Sequence, residues 1–252
     1  AQEVKALMNE FPWDAYAQAV GLGSTDELIV RNYAYFEKFG ELYGETDLQT
    51  WKDYLTFQAL DHYADSLSSA FENRHFQFHS TTLNGVPENE PRWKRAVSAT
   101  SGVLGEVLGQ EYVKHHFSPK AKKRMETLVA NLMKAYGESI QELEGMSDET
   151  KEKALAKLAA FKPKIGYPDK WRDYSGLTIE AGDLIGNFNR SARFEHEYNL
   201  QKIGQPVDPV DWGMTPQTVN AYYSPTRNEI VFPAAILQPP FFNMDADDAV
   251  NY

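Results

Sequence analysis

The part of the chain that decides its fold lies between Val219 and Phe242 and reads VNAYYSPTRNEIVFPAAILQPPFF. Residues 219–223 include a β-branched valine and two tyrosines and predict a strand, and the polar run over 224–228 predicts a turn. Residues 229–232 predict a second strand, so this stretch is expected to form a β-hairpin. Consecutive prolines at 239 and 240 end the pattern before a pair of phenylalanines.

The sequence before this hairpin is typical of helices. Ser118 and Pro119 provide an N-cap and a proline at the first helical position, and apolar residues then recur at three- and four-residue steps over 125–143. Ser24 and Ser147 predict the N-caps of two further helices. We therefore expect a mainly α protein with a helical lobe over residues 1–204, followed by a hairpin segment over 205–252.

Composition limits the classes of function. The chain has 252 residues, of which 42% are hydrophobic, enough for a sizeable core. Its formal net charge of −11 argues against nucleic acid as a partner, because phosphate binding needs clustered basic residues. Cysteine is absent, which excludes a disulfide framework, a thiolate zinc site and a cysteine nucleophile. No apolar run approaches the roughly 20 residues of a membrane-spanning helix.

The histidines do not form a recognisable catalytic set. His75 and His79 lie four residues apart, which on a helix places both on one face, as metal ligands require. No third ligand is evident nearby in the sequence, so they are predicted to be ordinary helical histidines. His196 and Glu197 begin the zinc motif H-E-x-x-H, but its second histidine is missing. His196 is therefore expected to be a surface or lobe-contact residue.

Asn220 and Ala221 fall on the first predicted strand, where an exposed edge can bind an extended peptide through its backbone. The asparagine amide adds one donor group and one acceptor for a peptide unit. Ile236, Phe241 and Phe242 can form the wall of an apolar side-chain pocket. The alternative is a core hairpin whose aromatic residues only pack.

The segments VNAYY, RNEIVFPA and ILQPPFF, in this order, resemble the neprilysin family of zinc metallopeptidases. That family includes neprilysin, endothelin-converting enzyme and bacterial oligopeptidases of the PepO type. The upstream segments RWKRAVSATSGVLGEVLGQEYVKHHF and MSDETKEKALAKLAAFKPKIGYPDKW are also similar to the family, so the resemblance covers nearly the whole chain.

The resemblance implies two lobes around a closed chamber that admits only oligopeptides. One lobe is a helical cap, and the other is a thermolysin-like α+β catalytic lobe that holds zinc through H-E-x-x-H and a downstream glutamate. It further implies that the Asn220 side chain and the Ala221 carbonyl hydrogen-bond the substrate backbone. Ile236 and Phe241 match residues that line the pocket for a large apolar side chain just after the cleaved bond.

The chain departs from the family pattern at its end, where DDAVNY stands just before the zinc helix. We therefore expect zinc to be bound by the C-terminal half of the same enzyme, and this chain to be inactive by itself. We expect the chain to be part of a zinc metalloendopeptidase that cleaves oligopeptides on the amino side of large hydrophobic residues, and to supply its cap and its substrate-binding edge strand. A non-catalytic peptide-binding helical module is the alternative, and a helical scaffold without a ligand is a third hypothesis.

The expected setting also follows from the resemblance. The absence of cysteine favours a bacterial member, because the animal relatives are ectodomains rich in disulfides. An exported or periplasmic location is implied by analogy, with the cytoplasm as the alternative.

Overall fold

The computed structural model describes residues 2–252 and has a mainly α architecture with one small sheet, which confirms the predicted fold class. Its elements, in chain order, are α1 Gln2–Leu7, α2 Trp13–Ala19, α3 Tyr33–Glu45, α4 Leu48–Tyr63, a 3₁₀ turn Ala64–Ser66, α5 Ser69–His75, a π-helix Phe76–Thr82, α6 Arg92–Val103, α7 Gly105–His116, α8 Pro119–Glu142, α9 Asp148–Ala159, β1 Lys162–Gly166, α10 Leu184–Leu200, β2 Tyr222–Ser224, β3 Glu229–Pro233 and α11 Asp248–Asn251.

Two of the three predicted helix caps are confirmed. The Ser118 side chain accepts from the Ala121 N–H at 3.2 Å, and the Ser147 side chain accepts from the Thr150 N–H at 3.4 Å. The prediction for Ser24 was wrong, because α3 begins only after Asn32, whose side chain accepts from an N–H of the first turn at 3.1 Å. The run Leu-Ile-Val at 28–30, which includes two β-branched residues with low helix propensity, stands between the two positions.

The chain divides into two compact units. The first consists of the residues up to Glu90 together with Leu177–Pro206, and its regular structure in the described residues is helical. The second consists of Pro91–Gly176 and Val207–Tyr252, and it contains the sheet. The predicted division into lobes over 1–204 and 205–252 refers to a complete enzyme and stays a prediction.

The first unit is held together by aromatic residues and by a bond between distant helices. The Phe11 ring packs edge-on against Phe39 and Tyr43, with ring centroids 5.4 and 5.1 Å away. The Tyr63 hydroxyl at the end of α4 donates to the Asn189 side chain on α10 at 2.5 Å. This bond joins the last helix of the unit to an early one, although 126 residues separate them in sequence.

The sheet of the second unit has the order β1-β3-β2, with β3 in the centre. β3 runs parallel to β1 and antiparallel to β2, so the predicted hairpin of β2 and β3 is confirmed. Its turn contains Asn228 at φ 49°, a left-handed conformation that asparagine tolerates better than most residues. The Asn228 side chain also donates to the Lys157 carbonyl at 2.8 Å, which fastens the turn to the end of α9.

The core of the second unit lies between α8, β1 and the segment that follows β3. Residues from these three elements, together with Phe117 between α7 and α8, form one buried apolar cluster, which consists of Phe117, Ala121, Met125, Leu128, Val129, Ile165, Ala234, Leu237 and Phe242. Arg124, on the same helix, donates to the Ala246 carbonyl at 2.6 Å and pairs with Asp248 at 2.7 Å. The segment after the hairpin is therefore attached to α8 by apolar packing and by charged hydrogen bonds.

A buried carboxylate sits at the start of the central strand. The Glu229 side chain is 2% exposed and pairs with the Lys164 ammonium at 2.9 Å. The Arg227 guanidinium is a second positive neighbour at 3.5 Å. Both cations also donate to the Asp211 carbonyl, at 2.8 and 3.2 Å, so that β1, β3 and the approach to β2 meet at one set of charges.

We expect Glu229→Gln to lower the free energy of unfolding by about 3 kcal/mol, because the buried Lys164 ammonium loses its counter-charge. Chemical denaturation of the wild type and the variant measures the difference. The double variant Glu229→Gln/Lys164→Met should recover part of the loss, since it removes the stranded cation as well.

Glu149→Gln is the matched control for this substitution. Glu149 pairs with Lys153 at 2.6 Å, but both side chains are more than 70% exposed. Exposed pairs contribute less than about 1 kcal/mol, so the control should be nearly neutral. A Glu229 variant as stable as this control would contradict the role assigned to the buried pair.

Candidate functional site

The predicted peptide-binding residues lie at the entry to the edge strand. Asn220 is exposed and Ala221 is partly buried, and both come just before β2. The predicted strand over 219–223 is therefore too early, because the Asn220 N–H donates to the Thr218 carbonyl at 3.0 Å and turns the backbone away from the ladder. The Asn220 side-chain oxygen accepts from the Ala221 N–H at 2.8 Å, which fixes the amide against its own backbone.

β2 is an edge strand in the described part of the chain. It pairs with β3 on one side, and no other strand among residues 2–252 pairs with its opposite side. An edge of this kind carries backbone groups that an extended peptide can pair with. Asn220 and Ala221 immediately precede this edge, on its loop side.

The loop before Asn220 is anchored on the helices behind it. The Gln217 side chain donates both to the Ser101 hydroxyl at 2.8 Å and to the Gly105 carbonyl at 2.9 Å. These acceptors lie in α6 and at the start of α7. One side chain thus holds the approach to Asn220 at the junction of two helices.

Close packing fixes the same loop at a second point. Pro216 lies against α7 at Gly109, where a Cβ atom would come within 2.8 Å of the proline ring. The Pro216 carbonyl accepts from the Ala235 N–H at 2.9 Å, which joins the loop before β2 to the segment after β3. The segment that leads to Asn220 and the segment that contains Ile236 are therefore directly hydrogen-bonded to each other.

The predicted pocket residues occupy different environments. Ile236 packs against the core cluster, and Phe242 is itself 3% exposed within that cluster. Phe241, by contrast, is 64% exposed. The structure therefore places Phe242 in the core rather than in a pocket wall, whereas Phe241 presents a free aromatic ring.

Tyr222 links the start of β2 to the loop. Its hydroxyl oxygen accepts from the Gly213 N–H at 2.7 Å. Burial raises the pKa of the Tyr222 hydroxyl, and the nearby Glu229 carboxylate adds to the increase, while the bond from Gly213 partly offsets it. The neutral phenol is thus the form that fits the folded protein.

The histidines were placed only partly as predicted. His196 is exposed and its ring nitrogen lies 2.9 Å from the Val20 carbonyl, which agrees with a surface contact. Within residues 2–252, the one group of three metal-ligand side chains within 4.8 Å of one another is Asp61, His75 and His79 in the first unit. The described residues of the second unit offer no such group, so its own side chains do not fit a zinc ion beside Asn220.

Sequence reasoning missed the residues that position this site. Glu229 and Lys164 lie in segments that resemble the family but were assigned no role, and the Glu229–Lys164 pair and the contacts of Gln217 join residues distant in sequence. A weak signal was available for Glu229, since an acidic residue directly before the apolar strand residues 230–232 is either exposed or paired. Gln217 gave no signal of this kind.

Comparison with known proteins identifies the family. The models described as peptidase family M13 match residues 1–168 and 220–252. The chain belongs to peptidase family M13. The resemblance to neprilysin-type peptidases is thereby confirmed, and the hairpin described above lies largely within the second matched segment.

M13 relatives match along nearly the whole chain. Neprilysin-3 of Drosophila melanogaster is 33% identical over 254 residues, which cover 95% of this chain and 32% of that protein. A neutral endopeptidase of Lactobacillus helveticus is 31% identical, over 99% of this chain and 39% of that protein. The chain thus spans between three and four tenths of the length of these relatives.

Solved M13-like structures share the fold. The zinc metalloprotease Zmp1 of Mycobacterium tuberculosis, in complex with an inhibitor, superposes with a TM-score of 0.91 at 43% identity, over 99% of this chain and 38% of that one. PepO of Lactobacillus rhamnosis gives a TM-score of 0.82 at 26% identity, over 96% of this chain and 40% of that one. Among residues 2–252, none of the helices combines the length and the hydropathy needed to cross a bilayer.

We expect Tyr222→Phe to destabilise the protein by about 1 kcal/mol at pH 7, because the Gly213 N–H loses its acceptor. The folded-state pKa of Tyr222 lies above its ordinary value of 10.0. The hydroxyl's contribution is therefore fully present below about pH 10 and is lost as the pH rises through the folded-state pKa.

Unfolding by urea at pH 7 and at several values above pH 10 measures this effect. The difference in stability between wild type and variant should shrink as the pH rises, while contributions from the other tyrosines cancel in the difference. A difference that stays constant across this range would contradict the assigned pKa direction.

Proposed function

We propose that this chain forms the cap and the substrate-binding edge strand of a zinc-dependent M13 endopeptidase. The substrate class is oligopeptides, cleaved on the amino side of large hydrophobic residues. The observation that carries the proposal is the free edge of β2, with the exposed Asn220 at its entry, in a chain of this family. Because the chain spans less than half of its relatives, the activity of the whole protein is part of the proposal.

The geometry around Asn220 supports backbone recognition. Its side-chain oxygen already accepts one bond from Ala221 but has a second lone pair, and its amide nitrogen supplies two donor hydrogens. In the proposed complex, the Asn220 amide and the Ala221 carbonyl hydrogen-bond the peptide next to the bond that is cut. Because these bonds go to the peptide backbone, they hold many sequences equally well.

Selectivity is assigned to the segment after β3. Ile236, supported from behind by the core, would provide a firm floor, and the exposed Phe241 ring would provide a wall. An apolar side chain placed between them gains roughly 1.5–3 kcal/mol when fully buried. This accounts for the proposed preference for large hydrophobic residues just after the cleaved bond.

The zinc ligands belong, in this proposal, to sequence outside these 252 residues. The relatives and neighbours include proteins named as zinc metalloproteases, and the second unit presents no ligand set of its own. The partner of this chain is accordingly the C-terminal part of the enzyme, with H-E-x-x-H, and this chain alone is inactive. An exported or periplasmic bacterial setting completes the proposal.

In the complete enzyme, Asn220→Ala should lower kcat/KM for oligopeptides by roughly two- to tenfold, the equivalent of one hydrogen bond of about 0.5–1.5 kcal/mol. A larger loss is expected in kcat if the bond tightens in the transition state. The melting temperature should change only modestly, because the side chain is exposed and water can replace the bond that it accepts from the Ala221 N–H. Steady-state kinetics and a thermal melt measure the two effects.

Thr226→Ala is the control, since Thr226 is exposed in the turn at the other end of β2. It should leave kinetics unaltered. A lower melting temperature with normal kcat/KM in the Asn220 variant would rule out the binding role. A chelator that fails to stop peptide cleavage would overturn zinc dependence, and peptide binding without any cleavage would favour the non-catalytic module instead.

Phe241→Ala should reduce the preference for leucine or phenylalanine over alanine just after the cleaved bond. We expect the ratio of kcat/KM values to fall by about tenfold, because part of the apolar contact is lost. Stability should be unaffected, since the ring is largely exposed in this chain. Matched peptides that differ at this one position provide the measurement, and an unchanged ratio would remove Phe241 from the pocket.

A further inference from the structure

The first unit contains a cluster of two imidazoles and one carboxylate that the proposed peptidase function does not use. The His79 ring nitrogen Nε2 lies 2.9 Å from an Asp61 carboxylate oxygen. The His75 ring lies beside the His79 ring, with centroids 4.3 Å apart. One ligand atom from each of the three residues lies within 4.8 Å of the other two.

The backbone presents these side chains together. Asp61 lies in the last turn of α4, and a 3₁₀ turn follows before α5. His75 ends α5, and His79 lies in the π-helix that continues it. π-Helical turns are rare in proteins, and those that occur are often found at functional sites. The Asn84 side chain donates to the His79 carbonyl at 2.6 Å, which supports the π-helix from its far end.

We propose that Asp61, His75 and His79 bind a divalent transition-metal ion, with zinc as the preferred metal. Imidazole nitrogens suit zinc, copper and nickel, and one carboxylate with two histidines is a common three-ligand set for zinc. Ligand atoms around a tetrahedral zinc ion lie roughly 3.4 Å apart, because each bond is about 2.1 Å long. The Asp61 and His79 atoms, 2.9 Å apart, would separate slightly to hold the ion, and rotation of the partly exposed side chains would bring His75 to the same spacing.

The chemistry of this site differs from that of an H-E-x-x-H helix. Phe76, Gln77 and Phe78 stand between the two histidines, so no glutamate is available as a general base. Three protein ligands leave a fourth position for water, and the side chains are 33–37% exposed for Asp61 and His79. Because the H-E-x-x-H glutamate is missing beside this open position, the site is assigned a structural role, in which the ion joins the end of α4 to α5 and the π-helix.

Titration of the metal-stripped protein with ZnCl₂, followed by calorimetry, tests this site. We expect one zinc equivalent per chain to be lost in the double variant His75→Ala/His79→Ala. Asp61→Asn, which keeps the side-chain shape, should weaken binding at least about tenfold. Zinc should raise the melting temperature of the wild type by binding the folded form, and the double variant should lose this increase.

His62→Ala is the matched control, because His62 is exposed on the neighbouring position of α4 and belongs to no ligand group in the described residues. It should bind zinc as the wild type does. The same stoichiometry and affinity in the double variant would overturn the proposal, as would an equal loss in the His62 variant or no binding by the wild type. If the double variant fails to fold, Asp61→Asn still tests the site. Weaker zinc binding by this variant supports the proposal, and unchanged zinc affinity contradicts it.

Discussion

The buried ion pair between Glu229 and Lys164 is the interaction on which the second unit depends. Glu229 is almost completely shielded from water at the start of the central strand, so its charge must be compensated inside the protein. Its partners come from β1 and from the turn of the hairpin, and both cations also hold the carbonyl of Asp211. Sheet, hairpin and the approach to the edge strand are therefore specified together, because misplacing any one of them would leave a buried charge unpaired.

This arrangement explains how an exposed edge can be rigid. A strand of three residues with one free side has few hydrogen bonds of its own. Its position is set instead by the loop before it, which Gln217 and Pro216 fix against α6 and α7, and by Tyr222, which binds the same loop. A preformed edge of this kind costs less ordering when a peptide pairs with it, and this favours binding by an unstructured oligopeptide.

The local patterns of the sequence predicted the fold class and the hairpin, since caps, apolar periodicity and turn residues act over a few positions. Ser118 and Ser147 were correctly predicted as caps for this reason. Ser24 was not, because β-branched residues follow it and the next helix begins only after Asn32. Asn220 was predicted in the strand because its neighbours have β propensity. In the structure its N–H donates to the Thr218 carbonyl, so it lies just before the strand. The pairing of Glu229 with Lys164 and the contacts of Gln217 with α6 and α7 could not be predicted, because they join residues between 65 and 116 positions apart.

The cluster of Asp61, His75 and His79 in the first unit was also predicted only in its local part. Spacing of four residues predicted that His75 and His79 share a face, and they do, but the third member lies 14 residues before His75, on a different helix. A carboxylate that reaches two imidazoles from another helix has two physical uses: it can hydrogen-bond one ring, or it can complete a metal site. The first use requires only His79. The His75 ring, which lies tilted beside the His79 ring, has no part in that bond, whereas it supplies the third ligand that a metal ion needs.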